Sequence, residues 1–537
     1  MGHGVILALL LLTANPKVNE QVVVTAKTGS TEKTETIDQA VMDKFTILSV
    51  ADLFEFFSSL SLSTRGPGGV QADVSFRGAR GNQVGILLNG IPLNNAQSYH
   101  HNFDLPVAPE DLESFSVQPA ASGGESPYSF SGQVNLSTGN NQKERYNFAY
   151  GSDRYYHVYA AQYGLSYLLE GSDGYKDNTD FHTTNVTWQG ERNGVRVFTA
   201  FNRKDFGAQD FYAPYASHEK TETYLVSSTW KNLTVYGIRH DDTFLLDREN
   251  PDFYRNETRT VRSGFRQEFE LPHNFFISYD FAANSVSSLV LGQHNDHQLT
   301  LKGATLLQMG GWTLRPGIAL VNSSRESGEW MPFAGMYRWI HNYRVSLEAS
   351  RTVRLPDYTE LYYTSPVNQG NATLQSESAW NVDLSVGRAW WKGTLFYRNE
   401  SRLIDWVRRG NLWHAENIGH SRVWGIEATA VIGNWSAGYQ LVSRDSSTDL
   451  ETKYSWHIPK NRWVLRYHGK DLSVLYQFID TPGLSNASVL DMTFFGTGFY
   501  LKVKNAMDDR YETIPGIPMP GRTYLFGYRV NGPLISY

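Results

Sequence analysis

From about residue 140 onward the chain alternates apolar and polar side chains in segments of about ten residues, separated by clusters of Gly, Asn, Asp and Pro. Successive side chains of an extended strand point to opposite faces, so each segment presents one apolar and one polar face. In the run 157–169, His157, Tyr159, Ala161, Tyr163, Leu165, Tyr167 and Leu169 share one face, which we read as lipid-facing. Val158, Ala160, Gln162, Gly164, Ser166 and Leu168 share the other, read as lining a lumen. Phe499, Leu501 and Val503 alternate in the same way with Tyr500, Lys502 and Lys504, and Leu472, Val474, Tyr476 and Phe478 repeat the device. A last strand is expected over 523–530, with Tyr524, Phe526 and Tyr528 on one side. The tract continues for about 400 residues without a helical break, beyond the ~200–250 residues of a usual all-β domain. Its apolar faces are rich in Tyr, Phe and Trp, as interfacial girdles are. The pattern predicts an all-β transmembrane chain, a large antiparallel β-barrel of about 20–22 strands, rather than a soluble barrel or sandwich.

Composition narrows this further. Aromatic residues make up 14% of the 537 residues, with 31 Tyr and 14 Trp, beside a mean hydropathy of −0.41. No Cys is present, which excludes disulfides and thiolate metal sites. The net charge of −6 is too small to argue for nucleic acid. Apart from a short apolar run, Val5 to Leu12, no stretch approaches the length of a membrane helix, so any membrane crossing must be made by a closed barrel. That run has the length of a signal-peptide core, although only His3 precedes it as a polar flank, and Ala14 is the best cleavage position.

The stretch before residue 140 reads as a small α+β unit. Val50, Leu53, Phe54 and Phe57 fall at helical spacing and predict a helix over 49–60, with Ser49 and Asp52 as a capping box. Short strands are expected at 73–76 and 85–88, the latter ending in an Asn89-Gly90 turn. Pro109 to Leu112 reads as a helical turn feeding a strand over 115–118. A barrel of about 20 strands encloses a lumen wide enough to need filling, and this unit has the size to plug it. The expected division is a signal peptide at 1–14, an extended segment at 15–30, a plug at 31–140 and the barrel at 141–537.

With these motifs in view the chain resembles the TonB-dependent receptors of the bacterial outer membrane. Gln21, Val22, Val23, Val24, Thr25 and Ala26 look like a TonB box. Phe76-Arg77-Gly78 is similar to the plug's apolar-Arg-Gly motif, and Ile86 to Asn94 to its hairpin through Asn89 and Gly90. Arg354-Leu355-Pro356 with Glu360-Leu361-Tyr362, and Asn505 to Arg522, resemble later barrel landmarks. Two departures stand out. Gln118-Pro119-Ala120 replaces the family's Arg-Gly-Pro, and the Tyr-Gly stretch that follows is degraded at 126–132, so the anchoring of the plug is expected to differ. A tail, 531–537, follows the last strand and ends in Tyr537.

The resemblance implies uptake of a scarce large nutrient, driven through the box by TonB and its inner-membrane complex. An extended β-branched run can add as a strand to a partner's sheet, which suits such a handle. Arg77, with Gly78, is expected to form a structural buried ion pair. The loop carrying Asn94, Asn95, Gln97, Tyr99, His100 and His101 is expected to face outside and meet the ligand, with Phe211 and Tyr212 lining the vestibule. Its neutral amides and the His101 to Pro106 stretch look most like the cobalamin-receptor branch; a ferric siderophore or other metal chelate is the alternative. Asp173, Asp177 and Asp180 cluster in a loop that could hold Ca²⁺, or could equally be charged turn residues. The further partners expected are the lipid bilayer and a surface lipoprotein, with no nucleic acid, and the chain is expected to be a monomer. No G-x-S-x-G, G-x-x-x-x-G-K or H-E-x-x-H motif is present, and no enzymatic activity is expected. A passive porin is the remaining rival, and it would lack both plug and box.

Overall fold

The computed structural model describes residues 34–532, apart from 124–127, 140–143, 212–213, 447–449 and 454–457. The expected signal peptide, the box at 21–26, Tyr212 and Tyr537 lie outside the described residues.

The first unit holds a mixed five-stranded sheet of β1 (Glu35–Asp38), β6 (Leu112–Pro119), β7 (Gly132–Thr138), β4 (Val84–Leu88) and β5 (Ile91–Pro92), in that order. β4 and β7 run parallel, Val84 opposite Gly132 and Leu88 opposite Leu136, and every side chain of β4 is buried. The turn from β4 to β5 places Asn89 at φ 53° and Gly90 at φ 82°, the left-handed pair that a tight hairpin needs. A separate hairpin joins β2 (Leu60–Thr64) to β3 (Ala72–Phe76). Helix α1 spans Gln39–Lys44 and α2 spans Val50–Phe54. The helix expected over 49–60 is therefore shorter. Its Ser49 cap accepts from the Ala51 N–H, and no reciprocal bond from Asp52 forms, because the Asp52 carboxylate faces Lys504 across the barrel at 2.9 Å. Beyond Phe54 the chain turns, so that Phe56 and Phe57 enter the core from a turn rather than from a helix face.

From Arg145 the chain forms a closed antiparallel barrel of 22 strands, counting each continuous wall strand once. The last strand, Thr523–Asn531, pairs back onto the first, with Asn531 opposite Arg145 and Leu525 opposite Gly151, which removes every edge. One end has two-residue turns such as Asn193-Gly194, at φ 54° and 75°. The other carries long connections such as 355–376 and 505–522. This asymmetry marks the short-turn end as periplasmic and the long-loop end as extracellular.

The alternation works as expected for Phe499 and Leu501, which face outward, and Tyr500 and Lys502, which are buried. It fails in the first half of the run 157–169, where the structure has a hairpin instead of one strand. Tyr163 and Gly164 form the turn, at φ 51° and 82°, and Gln162 pairs with Leu165. Facing residues in that register have opposite parity, so the phase inverts across the turn. His157, Tyr159 and Ala161 face the lumen, whereas Leu165 and Tyr167 face the lipid and Ser166 and Leu168 turn inward. Outward Trp330, Trp380 and Trp424 lie toward the extracellular end, and Trp230, Trp339 and Trp435 beside the short turns, giving two aromatic belts.

The first unit fills the lumen. Its core of Phe54, Phe57, Phe76 and Phe115 is continuous with the inward wall residues Phe198, Leu225, Tyr236 and Val464, so plug and wall share one apolar cluster.

Candidate functional site

The plug is held by charge as well as by apolar contact. Phe76 and Ala79 bond each other's backbones across a turn in which Arg77 has φ 49° and Gly78 φ 76°. That turn sends Arg77 outward. Its Nε and Nη2 donate to Glu427 at 2.8 and 2.6 Å, and Nη1 to Asp383 at 2.5 Å. Gly78 sits so close to the wall that a Cβ there would lie 2.9 Å from Val442. Arg80 reaches Asp405 at 3.1 Å, and Gln83 donates to Glu377 at 3.0 Å. Arg354 completes the lattice from the wall, bonding Glu377 at 2.6 Å and Glu360 at 2.8 and 2.9 Å. Where the usual Arg-Gly-Pro is missing, the wall supplies the cations. Arg315 donates to the Ser122 carbonyl at 2.8 Å, Lys302 to that of Gly123 at 3.1 Å, and the Ser350 hydroxyl to that of Ala120 at 2.6 Å.

The loop 94–104 lies at the extracellular end of the plug, but its side chains turn inward. Asn94 is 3% exposed, and its amide accepts from the Ile86 N–H and donates to the Val84 carbonyl. A short helix, α3 (Tyr358–Tyr362), capped by Asp357, roofs the loop. The Tyr358 and Thr359 N–H groups donate to the carbonyls of Ala96 and Gln97, both at 3.0 Å. Half-buried Asn95 caps the turn by accepting from the Gln97 N–H, and Tyr99 lies tilted at 41° against His100 with centroids 4.2 Å apart. His100 Nδ1 lies 3.0 Å from Asp73. Burial alone would raise Asp73, but His100 and Arg65 outweigh it and hold its carboxyl down to about 2. His101 points into the wall between strands Ala216–Trp230 and Leu233–Leu245, among Glu219, His240 and Asp242. Burial disfavours its charged form, yet Asp242, Asp104 and Glu219 raise it to about 9.

A cavity of about 160 Å³ opens on the other side of the plug, between residues 48–69 and the extracellular connections at 152–155, 173–180 and 505–522. Asp52, Glu55, Asp153, Glu170 and Asp491 line it with Tyr155, Tyr175, Phe181 and Tyr511, and Lys504 is the cation at its edge. Tyr155 donates to Glu170 at 2.9 Å, and Tyr175 to the Pro518 carbonyl at 2.6 Å. Burial, with Asp52 and Asp491 nearby, pushes the Glu55 carboxyl up to about 7 against the pull of Lys504. Burial also works on Asp52, but Lys504 and Lys502 hold it low. Among the described residues, this excess of carboxyl groups over one ammonium makes a chamber for neutral or cationic ligands with apolar or aromatic faces.

Phe211 is buried with Phe206, Phe181 and Val70, so it seats the tip of the β2–β3 hairpin. The aspartates of the 173–180 connection do not converge. Asp173 bonds Arg154 at 2.8 Å and Asp180 bonds Arg248 at 2.7 Å. The residues the sequence reading missed are the inward carboxylates and imidazoles of the wall. Their signal is present in Glu219-Thr221-Thr223 and His240-Asp242, polar side chains at alternate positions of one strand face, but it shows only once strand phase is known.

Two family models match the chain. One, described as TonB dependent receptor-like, beta-barrel, covers residues 97–530, and the other, the TonB-dependent Receptor Plug Domain, covers residues 26–126. Among solved structures, the FrpB iron transporter from Neisseria meningitidis, as apoprotein, is 14% identical, with a TM-score of 0.73 over 93% of this chain and 99% of that one. The siderophore receptors PirA from Acinetobacter baumannii and Pseudomonas aeruginosa are 12% and 15% identical, both with a TM-score of 0.68 over 94% of this chain and 99% and 100% of theirs. At these identities the likeness is one of fold.

Proposed function

The chain belongs to the TonB-dependent receptors, outer-membrane transporters energised through TonB, and from that premise we propose that its cargo is a metal chelate of neutral or positive charge. A barrel of this size with an apolar and ionic seal cannot work as a passive pore. The ligand must be captured outside and released by displacement of the plug.

The acidic, aromatic chamber beside Glu55 carries the choice of ligand. It is open to the extracellular loops and repels anions. A hydroxamate-type ferric chelate, neutral or cationic, suits it better than a trianionic tris-catecholate. The solved iron and siderophore receptors named above support a chelate. The neutral amides that would favour a corrinoid are instead engaged with the plug and the wall, as Asn94 and Gln97 show. The His101 to Pro106 stretch keeps a corrinoid as the second reading.

Equilibrium binding to the purified full chain in detergent tests this, with a ferric trihydroxamate, a ferric tris-catecholate and cyanocobalamin compared. We expect the trihydroxamate to bind at least about tenfold more tightly than the catecholate, a difference of about 1.4 kcal/mol. Preference for the catecholate would overturn the electrostatic argument, and tight cyanocobalamin binding alone would establish the corrinoid reading.

A further inference from the structure

We propose that the junction of plug and barrel holds a bare divalent transition-metal ion, bound by His101 and Asp104 from the plug and by Glu219, His240 and Asp242 from the wall. This site is separate from the Glu55 chamber and does not depend on the identity of the chelate.

The candidate ligand atoms lie close together in two sets that share His101. His101 Nδ1 lies 3.2 Å from Asp104 and 3.8 Å from Glu219, and its Nε2 lies 3.7 Å from Asp242. His240 Nε2 lies 3.7 Å from Asp104. Two three-residue sets, His101 with Asp104 and His240, and His101 with Glu219 and Asp242, each bring their ligand atoms within 4.8 Å of one another. Ligand atoms around a tetrahedral ion with bonds of about 2.0–2.2 Å stand roughly 3.3–3.6 Å apart, so small rotations within one set, joined by a carboxylate of the other, complete a shell of four.

Two atoms lack partners in a place where that is costly. His240 and Asp242 are 3% and 4% exposed, yet His240 Nε2 and Asp242 Oδ1 make no hydrogen bond. Neutral groups aim the ligands. The Thr223 hydroxyl bonds His240 Nδ1 at 2.9 Å, which turns Nε2 toward Asp104. Gln97 donates to Asp242 and Gln71 to Glu219, both at 3.3 Å. Such outer partners fix the orientation and tautomer of metal ligands.

Charge and size agree. Asp104, Glu219 and Asp242 bring three negative charges, and Lys204, 3.2 Å from Asp104, returns one. Once the ion displaces the imidazole protons the set is two charges short, the charge of a divalent ion. The cavity beside His101, His240 and Asp104 measures about 30 Å³, room for a water or an ion and not for a chelate. Mixed imidazole and carboxylate donors favour zinc, manganese, cobalt or nickel over calcium. Because the ligands are divided between plug and wall, displacing the plug takes the site apart.

The test uses the full chain, purified with a histidine-free tag, stripped with chelator and equilibrated with Zn²⁺ or Mn²⁺. We expect about one ion per chain and, in crystals, an anomalous peak within about 2.0–2.2 Å of nitrogens of His101 and His240. Thr223→Val, which leaves every ligand in place, should weaken affinity about 10- to 100-fold. Less than a tenth of an equivalent bound to the wild-type chain, or an anomalous peak elsewhere, would overturn the proposal and leave the cluster balanced by protons.

Discussion

Arg77 of the plug and Asp383 of the wall stand 2.5 Å apart, Nη1 to Oδ2, with both residues only 3% exposed. Glu427 takes the rest of the same guanidinium through two N–H groups. The pair joins residues 306 positions apart in the chain and must break if the plug is to move as a body. A buried pair contributes little net stability while intact, but losing one partner leaves an uncompensated charge. We expect Arg77→Met, which removes the guanidinium that two buried carboxylates share, to cost about 3–5 kcal/mol of plug seating. Calorimetry in detergent should show an earlier plug transition, and planar-bilayer recordings should show added conductance. Asp383→Asn should cost less, because Glu427 still holds Arg77. Equal effects of the two variants would mean that the lattice is not the seal.

The lipid face makes a second prediction. Leu384 is 43% exposed, lies between the aromatic belts and pairs with Leu395 on the next strand, while its neighbour Asp383 is buried inside. Leu384→Lys should destabilise the barrel by about 2–4 kcal/mol in folding titrations with lipid vesicles, the cost of a cation near the bilayer midplane. Leu384→Ile should be nearly neutral. A tolerated lysine would place this band outside the membrane.

Glu55 predicts how plug stability varies with pH. Its carboxyl is raised from 4.5 to about 7, mainly by burial. A raised acid favours folding while it stays protonated. Below pH 4.5 both states are protonated and nothing is lost. Between pH 4.5 and about 7 the unfolded chain releases its proton and the folded one does not, so stability falls by on the order of 1–3 kcal/mol. Above that window the loss is complete. Glu55→Gln should match the wild type at pH 4 and unfold later than it at pH 8, as read by the plug transition. A variant no more stable at pH 8 would show that Lys504 and Arg462 already balance the charge.

The barrel was legible because alternation sustained over hundreds of residues can be absorbed by little besides a large closed sheet, and the plug because Arg77-Gly78 and Asn89-Gly90 sit at turns whose conformation demands them. Strand phase was less legible. Tyr163-Gly164 is a two-residue turn with no Asn or Asp to announce it, so 157–161 was assigned to the wrong face and 165–168 to the right one. The resemblance led us to expect the loop 94–104 to face outside, but sequence could not show that α3, more than 250 residues later, would close over it. The chamber at Glu55 draws on plug residues and three separate loops, and the His101 cluster on one plug loop and two wall strands. Such convergence is a property of register, which is fixed by the whole barrel at once.

The last prediction concerns the segment ahead of the plug. β1 begins at Glu35 and leads into α1, whose Asp43 pairs with Arg145 at the periplasmic start of the first barrel strand. The chain therefore enters the described plug near the periplasmic end, where a TonB partner would wait. We propose Val22 to Thr25 as the handle, joined to the partner as an added strand. Strand addition needs a backbone N–H at alternate positions, and proline has none. Val23→Pro and Val24→Pro change the two phases of that strand in turn. One of them should lower energised uptake at least about tenfold while ligand binding to purified receptor stays within about twofold, since the described lining of the chamber begins at Leu48. Site-directed crosslinking to TonB should fall in the same variant. If both prolines support wild-type uptake, the pull is transmitted by side chains or by another segment, and strand addition at this position is wrong.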